Sequence, residues 1–211
     1  MTKFENHLKS APIVAILRGL QPREAVEIAQ ALVDGGIEIM EVPLNSPQPY
    51  ESIRSIREAF GDRVYLGAGT VLSEEQVSSV AACGGEFAVA PNCNRSVGAA
   101  CERSGLDWLP GVYTPTEGFE ALAGGAAALK LFPAEMCPPA LIKAWLAVFP
   151  QETKIIPVGG VHADNIAEYL NVGASAAGIG SSLFKPGDTA DAVLAKAKKL
   201  VANAETANNH C

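Results

Sequence analysis

The chain has 211 residues, 48% hydrophobic and 18% charged, a balance that fills a sizeable core and excludes global disorder. A formal charge of -7 without a basic stripe speaks against a nucleic-acid-binding surface. The five cysteines are odd in number and form no CxxC pair, so reduced thiols in a cytoplasmic protein are expected rather than a disulfide framework. No run reaches the ~20 apolar residues that span a bilayer, and MTKFENHLKS has no apolar signal-peptide core, so no membrane association is expected.

A short helix is expected at about 4–10. From there an apolar run, a small-residue or proline turn, an amphipathic stretch and a glycine recur in that order. The apolar runs are IVAIL (13–17), IEIMEVPL (37–44), VYLGAG (64–69), EFAVAP (86–91), DWLPG (107–111), ALKLF (128–132), KIIPVGG (154–160) and AAGIGSS (176–182). Their spacing of about 20–27 residues is that of one strand plus one helix. Between the first two runs, Ala25, Ile28, Ala29 and Leu32 fall on one helical face behind Pro22 and ahead of Gly35-Gly36. Ser73 to Gln76 and Thr114 to Glu117 match the capping-box pattern, each directly after a strand. Eight units predict an α/β fold of the (β/α)8 TIM-barrel type with a short N-terminal helix. Residues 1–211 then form one domain, with a polar tail from about 203 to 211. A doubly wound open sheet is the alternative, but the loop after the first run is RGLQPRE, without G-x-G-x-x-G.

In such a barrel the chemistry lies where strands end. Lys130 sits inside an apolar strand, on the face of Ala128 and Phe132. It is either a lysine that reaches solvent or pairs with a carboxylate, or a desolvated amine able to form a Schiff base. Glu41 in IMEVP is the second anomaly, either half of a salt bridge with Lys130 or Arg18, or a buried acid–base of raised pKa. Gly159-Gly160 and Gly180-Ser181-Ser182 end the last two runs, where barrel loops and a helix N-terminus bind phosphate. They are otherwise tight turns. Arg18 could contact a phosphate or carboxylate, and Thr70 could donate to an oxygen or simply lead into a helix. His7 and His210 are expected at the surface, and His162 in a loop or capping role. Three histidines without a carboxylate cluster give a metal little support, and neither Cys93 nor Cys137 has a histidine nearby to activate it.

Taken together, AILRG (15–19), IMEVPLNSP (39–47), LGAGTVL (66–72), APN (90–92), LPG (109–111), LKLFPAE (129–135), PVGGV (157–161) and GIGSSLF (178–184) resemble the bacterial 2-keto-3-deoxy-6-phosphogluconate aldolase family over about 5–200. The resemblance implies a class I aldolase on a (β/α)8 barrel, a homotrimer without cofactor, acting on a phosphorylated keto-deoxy sugar acid. It implies Lys130 as the Schiff-base lysine, Glu41 as the proton-transfer residue, and phosphate at the last two strand ends. Asn45 and Val158 stand where gluconate-specific members carry arginine and threonine, and resemble the branch that cleaves the C4 epimer, the galactonate. Arg18, Thr70, Val158 and the Gly159-Gly160 and Gly180-Ser181-Ser182 turns are then the expected substrate-binding groups. A phosphosugar isomerase or epimerase and a silent phosphate-binding barrel are the alternatives from other classes.

Overall fold

The computed structural model describes residues 2–208, so the expectations for His210 and Cys211 lie outside the described residues. In chain order the elements are α1 (Lys3–Ser10), β1 (Ile13–Ile16), α2 (Pro22–Asp34), β2 (Ile39–Pro43), α3 (Pro49–Phe60), β3 (Tyr65–Gly69), α4 (Glu74–Ala82), β4 (Phe87–Val89) and α5 (Arg95–Ser104). There follow β5 (Asp107–Leu109), β6 (Gly111–Val112), α6 (Pro115–Ala123), β7 (Leu129–Leu131), α7 (Ala140–Leu146), β8 (Ile155–Pro157), α8 (Ile166–Asn171), β9 (Ala177–Ile179) and α9 (Ala190–Asn208). Local chemistry sets several boundaries. Pro22 opens α2, Thr114 and Glu117 close a reciprocal capping box on α6, and Ser73 accepts from the Gln76 amide at the start of α4. None of the described helices is long and apolar enough to cross a membrane.

The fold is α/β with parallel strands, but the strands do not form one uninterrupted ladder. Six pair in the order β5-β4-β3-β2-β1-β9 and three in the order β6-β7-β8. The expected fifth strand is broken at Pro110, which has no N–H to give to a ladder. Its carbonyl still accepts from the Lys130 amide at 2.9 Å, while on the other side Ala90 N–H donates to Leu109 O. At the far edges a single parallel bridge, Val158 to Gly178, joins the sheets.

Both sheets contribute to one inner apolar cluster that includes Val14, Ile16, Ile39, Phe87, Leu109, Ala128, Ile156 and Val158. A larger cluster lies between the strands and the helices. At the N-terminal ends of the strands α1 closes the inner cluster: Phe4 is buried against Tyr65, which stacks on Phe87. His7, expected at the surface, is instead held beneath the strands by Glu38 (Nδ1 to Oε2, 2.8 Å) and faces Tyr65. Of the stretch expected as a polar tail from about 203, residues 203–208 continue α9, and 209–211 lie outside the described residues. Val193, Ala197, Leu200, Ala204 and Ala207 are all buried, so one apolar helical stripe carries α9 through to Asn208.

Candidate active site

Lys130 occupies the middle of β7 with its side chain on the inner face, at the parity expected of it. It is 8% exposed, and among the described residues its Nζ makes no hydrogen bond or ion pair. The contact it does make is with the Phe132 ring, whose centroid lies 4.6 Å from Nζ. Burial lowers its pKa, Glu41 opposes that shift and Arg18 adds to it.

Glu41, in the middle of β2, is 3% exposed, and its Oε2 is buried without a partner. A carboxylate in that state is costly when ionised. Burial pushes its pKa up to about 7, against the lowering influence of Lys130 and Arg18. Gly69 makes the room: a Cβ there would lie 1.8 Å from Glu41 Oε2. Glu41 and Lys130 therefore line one pocket, floored by Ile16, Val89, Leu109 and Val158, without forming a direct ion pair. An unpaired buried amine and an unpaired buried carboxyl are groups whose chemistry can include nucleophilic attack and proton transfer.

Arg18 follows β1, is exposed, and donates from Nη1 to Asn45 Oδ1 at 3.0 Å. Thr70 follows β3 with φ 58, a left-handed conformation that a β-branched residue adopts only under constraint. Val158 is buried, its Cγ2 2.6 Å from where a Cβ on Gly178 would stand. Gly159 and Gly160, with φ 103 and 71, turn the chain out of β8 in a conformation that favours glycine. The amides of Gly159, Gly160, Ser181 and Ser182 donate to no other described residue. Two features differ from expectation. After Gly180 the chain makes a single turn, with Leu183 and Phe184 N–H donating to Gly180 O, and no helix starts there. The Ser182 hydroxyl donates to Val161 O at 3.1 Å, so it ties the two loops together, while Ser181 Oγ has no partner.

Sequence reasoning missed Gly69 as the seat of Glu41, and Ser46, whose buried hydroxyl accepts from Gly19 N–H at 2.9 Å. The signal for Ser46 was the polar Asn45-Ser46 pair directly after an apolar strand. His162 accepts from the Asp164 amide through Nδ1, a local turn contact as expected. Among the described residues, no group of three or more His, Cys, Asp or Glu side chains is arranged to hold a metal ion.

Residues 4–199 match the family model described as "Aldolase: KDPG and KHG aldolase". The chain belongs to the KDPG and KHG aldolase family. Within it, the chain is 41% identical over 190 residues to 2-dehydro-3-deoxy-6-phosphogalactonate aldolase of Escherichia coli (strain K12), covering 90% of this chain and 93% of that one. It is 43% identical over 186 residues to a probable enzyme of the same name from Rhizobium meliloti (strain 1021), covering 88% of each. Among solved structures, a "Native KDPGal structure" superposes with a TM-score of 0.92 at 40% identity, over 94% of this chain and 96% of that one. A KDPG aldolase from Legionella pneumophila, solved with pyruvate captured as a covalent carbinolamine intermediate, superposes with a TM-score of 0.80 at 28% identity, over 98% of both chains.

Proposed function

We propose that this family member is a class I aldolase that reversibly cleaves 2-dehydro-3-deoxy-6-phosphogalactonate to pyruvate and D-glyceraldehyde 3-phosphate. The observation that carries the proposal is the buried Lys130 amine facing, but not paired with, a buried carboxylate whose pKa lies at about 7. Lys130 Nζ attacks the C2 ketone, and loss of water gives a protonated imine. Glu41 takes the proton of the C4 hydroxyl, the C3–C4 bond breaks, and its electrons pass into the iminium to form an enamine. Glyceraldehyde 3-phosphate leaves. Glu41 then returns a proton to C3 of the enamine, and hydrolysis frees pyruvate and the Lys130 amine. One group alternates between base and acid, which a pKa near neutrality permits. Lys130 supplies the electron sink as an imine, so the step uses no cofactor.

The substrate-binding roles rest on the same geometry. The uncommitted amides of Gly159, Gly160, Ser181 and Ser182, with Gly180 as the pivot of their turn, cradle the phosphate. Thr70 and Arg18 serve the other end of the substrate, and Val158 packs beside C4. The two sheets act as one (β/α)8 barrel and one domain, β5 and β6 being a single strand broken at Pro110; the Val158–Gly178 bridge supports closure. The protein works in the cytoplasm in galactonate catabolism as a homotrimer, and exposed Tyr113, Phe132 and Met136 offer apolar surface for assembly.

Borohydride reduction in the presence of pyruvate tests the chemistry. A stable pyruvyl adduct on Lys130, insensitive to chelator, is expected, and its absence sinks the proposal. Lys130→Met is expected to lose both the adduct and cleavage down to background. Comparing kcat/KM on the two C4 epimers tests the substrate: preference for the gluconate epimer would overturn the galactonate assignment.

A further inference from the structure

We infer that Asn45 is a positioning residue that holds Arg18 as the receptor for the substrate carboxylate. The inference deepens the aldolase reading and rests on it. The substrate has two anionic ends, a phosphate and the carboxylate next to the reacting ketone. The described residues offer two matching sets of uncommitted donors. One is the run of free amides at Gly159, Gly160, Ser181 and Ser182, beyond β8 and β9. The other is the Arg18 guanidinium, which commits an N–H to Asn45 and leaves its other donors without a partner.

Where Arg18 is held decides which end it serves. β1 runs between β2 and β9, so Arg18 could lean either way from its strand end. The hydrogen bond from Nη1 to Asn45 Oδ1 draws it toward the β2 side, where Glu41 lies, and away from the loop after β9. The backbone beneath it is clamped as well. Leu17 N–H donates to Glu41 O at 3.0 Å, and Gly19 N–H donates to the Ser46 hydroxyl next to Asn45. On its other flank Gly19, with φ 85, leaves no space for a side chain, because a Cβ would lie 2.6 Å from Pro186 Cγ. Held so, the guanidinium acts electrostatically on both Lys130 and Glu41. An anion bound there would sit beside the amine that attacks C2.

The amide of Asn45 suits the task better than a carboxylate. It accepts the hydrogen bond and fixes the guanidinium without cancelling its charge, so the full charge remains for the substrate. An aspartate would keep the geometry but neutralise the group. That contrast separates positioning from simple packing.

The test compares wild type, Asn45→Ala and Asn45→Asp in two half-reactions, with thermal melts as the folding control. Pyruvate alone, read by borohydride trapping at Lys130 and by exchange of its methyl protons into deuterated water, probes the carboxylate end. The KM for glyceraldehyde 3-phosphate in the condensation direction probes the phosphate end. Both variants are expected to raise the pyruvate concentration for half-maximal trapping by about tenfold or more, the effect of losing a charge-assisted contact. The maximal exchange rate and the KM for the aldehyde should change little. Asn45→Asp should melt like wild type, so its loss of pyruvate affinity cannot be ascribed to unfolding. Unchanged pyruvate saturation in both variants would overturn the inference, as would a rise confined to the KM of the phosphorylated aldehyde. If wild type itself forms no pyruvyl adduct, the aldolase reading falls and this inference with it. An adduct that forms equally in all three proteins defeats only the role of Asn45.

Discussion

Glu41 and Gly69 act as one unit although they come from neighbouring strands, because β2 and β3 pair in register and put the carboxylate into the space a side chain would fill. Gly69→Ala would set a Cβ 1.8 Å from Oε2, so the carboxylate must move. Displacement on that scale is expected to cut kcat by about 100-fold while Lys130 remains open to slow trapping by pyruvate. Glu41 also leaves a signature in stability. Its pKa in the folded protein, about 7, is above its ordinary 4.5, so the folded state keeps a proton that the unfolded state releases. Stability is therefore undiminished below pH 4.5, falls as pH rises through 7, and stays lower above that. Glu41→Gln lacks this loss. Its advantage over wild type in urea unfolding should grow across that window to the order of 3 kcal/mol, while cleavage is abolished. Equal pH dependence of the two proteins would show that Glu41 is not held protonated by its burial.

Whole elements matter to the site mainly through their ends. The loops after β8 and β9 present free amides, and Ser182 Oγ to Val161 O is the side-chain bond that ties one loop to the other. Ser182→Ala should cost about 1 kcal/mol of stability. It should raise the KM for the phosphorylated substrate several-fold, since the amides lose their mutual alignment, and leave pyruvate trapping untouched. A matching loss on pyruvate alone would place Ser182 elsewhere in the chemistry. At this scale the sequence was readable wherever periodicity or capping carries the signal. The strands, the α2 stripe and the α6 capping box stand where spacing put them. It was less readable where two distant segments decide the outcome. Beside the break at Pro110, Gly111 passes so close to Pro91 that a Cβ would lie 2.4 Å from its carbonyl, and beyond Gly180 the Ser182 hydroxyl reaches across to Val161 O. In the same way Lys130 and Glu41 stood out as charges in apolar runs. What each avoids, a direct ion pair, is set by the packing of several strands and has no local signature.

Across the whole molecule the two ends of the strands have opposite tasks. Charges at the N-terminal ends neutralise one another: Lys3 pairs with Asp62 and Glu86, Arg57 with Glu86, and Lys154 with Glu5. At the C-terminal ends Lys130, Glu41 and Arg18 form no ion pair among the described residues, while in the loops around them Asp164 pairs with Lys199 and Asp188 with Lys196. The His7 contact and the long α9 stripe belong to this scale, and both were missed for one reason. A short polar stretch at either terminus looks solvated until the surface it docks on is known.

The seal made by Phe4, Tyr65 and Phe87 also fixes the order of traffic. With the far end plugged, substrate and both products of the proposed cleavage share one doorway, and the fragment that the proposed imine holds on Lys130 is the deeper of the two. Pyruvate therefore departs last. Steady-state inhibition should make it competitive with the intact sugar acid and make glyceraldehyde 3-phosphate noncompetitive. The reverse pattern would mean a second exit through the plug.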